Sequence, residues 1–239
     1  PDTPEATAPL PIIGASPSQP APVPQSAGGI WKSRNFPLHI RGMAVADVNG
    51  SGANETVFIT ENTVWIYQYA DGKLVQIGEV ESASHNTHIR VDAADINGNG
   101  TAEIFVTNVN SERSILISFV LEWDGKGFVK ITDTADWYYR VLTGPSSEKT
   151  LLGQQRGRRD PFLSTMYELS WDGSEYVAGD AYDLPLGMVV YGFARGDVMN
   201  NGKEMIVTLG QDDYLRVLDP EGNEEWKSSE RFGGTSTYI

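Results

Sequence analysis

The sequence predicts an all-β chain arranged as a β-propeller of four-stranded blades. Three observations carry that prediction. A nine-residue turn rich in carboxylate and amide oxygens occurs at Asp47–Glu55 and again at Asp95–Glu103, with a degraded copy at Asp197–Met205. The copies are evenly phased: the first two begin 48 residues apart, and the third begins 102 residues later, two periods of 51. A period of about 40–50 residues is that of propeller blades. Finally, helical periodicity is missing, and the apolar runs are short, β-branched or aromatic, and punctuated by Gly.

Each period fits four strands. The first precedes the turn, at Gly42 to Ala46, Val91 to Ala94 and Met188 to Ala194. The second follows it, at Thr56 to Ile59, Ile104 to Thr107 and Ile206 to Leu209. The third spans Val64 to Tyr67, Leu116 to Trp123 and Tyr214 to Leu218. A tight turn then appears at Asp71-Gly72, Asp124-Gly125, Asp172-Gly173 and Glu221-Gly222. Asp-Gly between β-rich runs marks a hairpin, because such turns often need positive φ. A short fourth strand closes the unit, at Leu74 to Ile77, Phe128 to Ile131 and Tyr176-Val177. One repeat, between Trp137 and Leu184, keeps its Asp172-Gly173 hairpin but has Thr143-Gly144-Pro145-Ser146-Ser147 in place of the oxygen-rich turn.

These phases give blades at about 41–81, 82–135, 136–185 and 186–232, with 233–239 opening a further blade. Trp31-Lys32-Ser33 and Trp226-Lys227-Ser228 sit in similar phase, each just ahead of a repeat. About four blades are therefore present, and the count predicts part of a larger ring whose open face another segment or chain covers. Residues 1–30, rich in Pro, Ala and Ser, read as an extended arm or linker, because such a composition cannot bury a core.

Composition narrows the function classes. A net charge of −14 repels nucleic acid and anionic lipid. No apolar run approaches the ~20 residues of a spanning helix. With no Cys, the chain has no disulfides, zinc–thiolate sites or thiol catalysis. No Gly-x-Ser-x-Gly elbow, His-Glu-x-x-His motif or P-loop occurs, so catalysis is not expected.

The oxygen-rich turns point instead to a hard cation. Asp and Glu supply charged oxygens, Asn and Ser neutral ones, and Gly100 allows a bend that a side chain opposes. The pattern Asp-x-Asn-Gly-x-Gly-x-x-Glu, followed by a strand and recurring every fifty or so residues, resembles the FG-GAP/VCBS repeats of integrin-alpha-like β-propellers. The resemblance covers about Trp31 to Ile239 and is strongest in the first two repeats. It implies two structural Ca²⁺ sites. Asp47, Asn49, Ser51 and Glu55 would supply side-chain oxygens to one, and Asp95, Asn97, Asn99 and Glu103 to the other. The backbone carbonyls of Ala53 and Thr101 would complete them. Bacterial members are commonly exported, so the resemblance implies an extracytoplasmic interaction or adhesion module binding a protein or a glycan at its blade-edge loops. Some members accompany carbohydrate-active domains, so the alternative roles are the propeller domain of a carbohydrate-active enzyme or a structural subunit of an extracellular assembly.

Departures from the family pattern matter. Asn or Ser stands where the family often has Asp, leaving two carboxylates per loop, so micromolar to millimolar calcium affinity is expected. In the third loop Met199 and Met205 replace ligand positions, and thioether sulfur suits a hard cation poorly. That loop is expected to be empty, with Asp197 and Asn201 bonding their own backbone. His85 and His88 precede a strand and should face opposite ways, which argues against a metal pair. Arg156-Gly157-Arg158-Arg159-Asp160 reads as a basic loop of the third blade, either solvated or a docking point for an acidic partner or anionic glycan. Trp137-Tyr138-Tyr139 reads as packing between blades.

Overall fold

The computed structural model describes residues 32, 35–112, 114–144, 147–157, 160–163, 165–182, 184–185, 188–209 and 212–232. The chain divides into two units, Pro1–Pro37 and Leu38–Ile239. The expected arm over 1–30 and the expected further blade at 233–239 lie outside the described residues.

The second unit holds four antiparallel sheets, each a blade whose strands pair in chain order. Blade 1 is β1 (Gly42–Ala46), β2 (Glu55–Ile59), β3 (Thr63–Ala70) and β4 (Lys73–Glu81). Blade 2 is β5 (Asn86–Ala94), β6 (Glu103–Asn110), β8 (Ser118–Trp123) and β9 (Phe128–Ala135), with the short β7 (Ile115–Leu116) added onto β6. Blade 3 is β10 (Trp137–Thr143), β11 (Lys149–Gln155), β12 (Met166–Trp171) and β13 (Tyr176–Ala181). Blade 4 is β14 (Phe193–Gly196), β15 (Met205–Leu209), β16 (Tyr214–Leu218) and β17 (Glu224–Arg231). Among the described residues there is no helix.

Period-two alternation explains how the blades stack. Successive side chains of a strand point to opposite faces. In blade 2, Ile104, Val106, Phe119 and Leu121 face blade 1 and pack with Val57, Ile59, Val64 and Ile66. The intervening Phe105 and Val120 face blade 3 and pack with Tyr139, Leu151, Leu169 and Tyr176. Tyr138 lies on the opposite face of blade 3, packed with Phe193, Ile206 and Leu218 of blade 4. Tyr138 and Tyr139 thus serve two different cores, as the reading of Trp137-Tyr138-Tyr139 anticipates. Each fully buried Leu, Ile or Phe contributes roughly 1.5–3 kcal/mol, so these layers dominate cohesion between blades. Close approach also needs small residues: a Cβ on Gly78 of β4 would stand 2.6 Å from the Phe128 ring of blade 2.

The Asp-Gly hairpins form as expected. Asp71 and Gly72 take φ of 50° and 76° between the paired Ala70 and Lys73, a two-residue turn with both central residues left-handed. Two strand expectations need correction. The outermost strands β4, β9, β13 and β17 run 6 to 9 residues and are not short. At least half the residues of each are exposed, so the apolar run that marks a strand in the sequence stops before the strand does. The first strand of blade 4 begins at Phe193, not Met188, because a turn closed by Gly192 N–H on the Val189 carbonyl precedes it.

Candidate functional site

The two oxygen-rich turns join the first and second strands of blades 1 and 2, and they lie side by side. Ala102 N–H of the second turn donates to the Asp47 carbonyl of the first at 2.9 Å. Beneath that bond, Val48 and Ala102 share the core between the blades. The turn tips remain in solvent: residues 50–54 and 98–100 are exposed.

Within each turn the side-chain oxygens fold inward onto the loop's own amides. Asp47 Oδ1 accepts from Ser51 N–H at 3.0 Å and Oδ2 from Gly52 N–H at 2.7 Å. Asn49 Oδ1 accepts from Ser51 N–H, and Ser51 Oγ from Ala53 N–H. The second turn repeats the scheme. Asp95 Oδ1 accepts from Gly98 and Asn99, and Oδ2 from Gly100. Asn97 Oδ1 accepts from Asn99, and Asn99 Oδ1 from Thr101. Gly52 and Gly100 take φ of 82° and 90°, the left-handed region that glycine enters without a Cβ penalty. The third turn is bonded as expected. Asp197 accepts from Asn201 and Gly202, and Asn201 Oδ1 from Lys203. Even with Met199 and Met205 in place, the turn closes on itself.

The ninth-position glutamates distinguish the two full turns. Both are wholly buried. Glu103 is fully engaged: Oε2 accepts from Ile96 N–H at 2.8 Å, and Oε1 from Asn97 N–H at 3.2 Å and from the Tyr176 hydroxyl at 2.8 Å. Glu55 is not. Its Oε2 accepts from Val48 N–H at 3.1 Å, but no hydrogen bond of ordinary geometry reaches Oε1. Burial pushes the Glu55 carboxyl above its usual range, and the charge of Asp47 adds to that, against the lowering pull of the Val48 and Asn49 amides. Burial likewise raises Glu103, opposed by its amide and tyrosine donors.

Asp47 and Glu55 are therefore two carboxylates held together at an energetic cost, with neutral oxygens on Asn49 and Ser51 in the same loop. A divalent ion held in this loop would offset the charge of Asp47 on Glu55, and these donor types are the ones a hard cation takes. The second turn offers the same ligand types, but Glu103 already spends its oxygens on protein donors. Among the described residues no three His, Cys, Asp or Glu side chains form a metal-binding group, so any cation depends on amide, hydroxyl and carbonyl oxygens. With this geometry in view, residues 47–106 match the family model described as FG-GAP-like repeat. Residues 47–106 are similar to FG-GAP-like repeats. The matched stretch runs from the first turn through the second turn into β6. Among solved structures the chain is similar to one described as "Structure of Dos1 propeller", with a TM-score of 0.44 and 11% identity over 83% of this chain and 49% of that one. The chain thus spans about half the length of that structure. No curated protein matches.

The other singled-out residues fall elsewhere. His88 is buried, with Nε2 2.9 Å from Ser82 Oγ and its ring edge-on to Phe119. Burial pushes its pKa down to about 4, so it is a neutral core histidine. Arg156 donates to the Tyr138 hydroxyl at 3.1 Å, while Arg158 and Arg159 lie outside the described residues. Sequence reading missed Tyr176 as a partner of the second turn. It also missed Glu122, which accepts from Asn97 Nδ2 at 2.7 Å. Both come from other strands, so spacing along the repeat carries no sign of them.

Proposed function

We propose that this chain is an interaction module whose neighbouring blade turns form one rigid, calcium-braced platform for a protein partner. The observation that carries the reading is the Asp47 carbonyl to Ala102 N–H bond, which couples two exposed turns above a shared apolar core. Paired turns of this kind present side chains without the ordering cost of free loops. Calcium would be held in the first turn by Asp47, Asn49, Ser51 and Glu55 with the Ala53 carbonyl. In the second, Asp95, Asn97, Asn99 and Glu103 with the Thr101 carbonyl would hold it more weakly. Two carboxylates per site imply weak binding that suits an extracytoplasmic setting rich in calcium. The role assigned to the ion is to brace the turns, and the role assigned to the module is binding, not catalysis.

Thermal unfolding of calcium-loaded protein, with and without chelator, tests the reading. The expected result is a lower Tm after chelation, with the shift reduced in Asp47→Asn and abolished when Asp47→Asn and Asp95→Asn are combined. An unchanged Tm in protein shown to be loaded beforehand would contradict it.

A further inference from the structure

The innermost strands of blades 2, 3 and 4 each give one arginine to a single open cleft of about 390 Å³. Arg90 comes from β5, Arg140 from β10 and Arg195 from β14. In a chain with 32 acidic residues against 18 basic ones, three guanidinium groups on adjoining inner strands call for a physical reason.

Two of them have carboxylate partners. Arg90 donates through Nε and Nη2 to the two oxygens of Asp92, at 2.9 and 3.2 Å. Asp92 also accepts from Val141 N–H at 3.1 Å, tying the inner strands of blades 2 and 3 together. Arg195 pairs with Glu204 at 2.9 Å and donates to the Tyr182 hydroxyl at 2.7 Å. Arg140 differs. Its Nη1 donates to the Val190 carbonyl at 2.6 Å, and its guanidinium lies 4.6 Å from the centre of the Phe193 ring. Among the described residues it forms no ion pair, and its remaining N–H groups meet no protein acceptor. Burial and the nearby charge of Arg90 push its pKa down to about 10. Arg140 is thus a fixed, partly desolvated cation with open donors on a cleft wall.

A guanidinium with a free fork matches a carboxylate in shape and charge. The rim restricts which carboxylate enters. Glu148 and Glu168 line the cleft and are solvent-exposed, so they repel dense polyanions and favour an isolated acid flanked by neutral or basic groups. Thr143, Thr150 and Tyr182 add hydroxyls to the walls. We propose that this cleft is a carboxylate-binding site in which Arg140, flanked by Arg90, receives an isolated acidic side chain of a protein partner. The inference deepens the interaction-module reading and rests on it for the choice of a protein, but not on calcium.

The test is a titration of the full chain with blocked aspartate (N-acetyl-aspartate amide), followed by NMR of the arginine side-chain N–H signals, in calcium and again in chelator. Blocked asparagine and glucuronate serve as comparison ligands. The expected result is a saturable shift of the Arg140 signals with aspartate and none with asparagine, in both buffers. Arg140→Gln should weaken binding by about tenfold or more, as loss of a charge-assisted pair requires. Because Arg140→Gln also removes the bond to Val190, Glu148→Gln provides a second arm. It leaves the core untouched and should strengthen aspartate binding about two- to threefold by removing a repelling charge. No saturable shift, an unaltered affinity in Arg140→Gln, or an equal response to asparagine would overturn the site. Glucuronate binding tenfold tighter than aspartate would overturn the protein source. A calcium-independent positive result would stand even if chelation left the Tm unchanged.

Discussion

The Tyr176 hydroxyl of blade 3 donates a 2.8 Å hydrogen bond to Glu103 Oε1 of blade 2. The contact crosses the blade boundary to the residue that closes the second oxygen-rich turn, and it lies in the core formed by Phe105, Tyr139 and Leu169. Tyr176→Phe keeps the ring and deletes only the donor, leaving a buried carboxylate oxygen one donor short. The expected cost is about 1–3 kcal/mol, read as a lower denaturation midpoint with an unchanged slope. A midpoint equal to that of the parent would show that the bond does not form.

Blade 1 lacks the equivalent donor. Phe128 pairs with Trp123 across β8 and β9 as Tyr176 pairs with Trp171 across β12 and β13. The ring-to-ring distances, 5.0 and 5.1 Å, are nearly the same. Phe128 therefore holds the Tyr176 position one blade earlier but brings no hydroxyl, and no hydrogen bond of ordinary geometry reaches Glu55 Oε1. Phe128→Tyr is expected to stabilise calcium-free protein by about 1 kcal/mol and to weaken calcium binding at the first turn. Destabilisation of the calcium-free protein would contradict the equivalence.

The raised Glu55 and Glu103 carboxyls set a pH dependence. A carboxyl whose folded pKa lies above its unfolded value binds its proton more readily when folded. In calcium-free protein their cost is absent below the ordinary glutamate value of 4.5 and grows as pH rises through the folded pKa values. Glu55→Gln should flatten the fall in stability above pH 4.5 in chelator. Chemical denaturation across that range reads the slope, and an unchanged slope would count against a raised Glu55.

His88 works in the opposite sense. Its folded pKa of about 4 lies below the ordinary histidine value of 6.5, so the unfolded chain takes up a proton that the native core resists. Stability is full above pH 6.5 and declines as pH falls towards 4, by about 3 kcal/mol at the rule of 1.36 kcal/mol per unit. NMR titration of the ring should find His88 neutral at pH 5.5; a midpoint near 6.5 would show that the ring is not buried as described.

Gly78 reports on blade stacking. A Cβ there would meet the Phe128 ring at 2.6 Å and Ile66 Cδ1 at 3.0 Å. Gly78→Ala is expected to destabilise by about 1–3 kcal/mol. A neutral effect in thermal melts would show that blades 1 and 2 are packed less closely than the structure has them.

The architecture was legible because its signals are local. Turn oxygens, Asp-Gly hairpins and β-branched runs recur within one repeat, and the third turn's self-bonding followed from Asp197 and Asn201 alone. The outer strands run longer than their apolar stretches because at least half of each is exposed to solvent and needs no apolar residue there. The site was legible only along the chain. That Glu103 is claimed by Tyr176 while Glu55 is left short depends on which residue a neighbouring blade offers, 73 positions away in the case of Tyr176. The arginine cleft was hidden for the same reason: Arg90, Arg140 and Arg195 are isolated in sequence and converge only through the adjacency of inner strands.

Calorimetric titration of metal-free protein with calcium tests the central claim most directly. Two unequal weak sites are expected, the stronger abolished by Asp47→Asn and the weaker by Asp95→Asn. Absence of binding heat at millimolar calcium, or a titration that both substitutions leave unchanged, would contradict it.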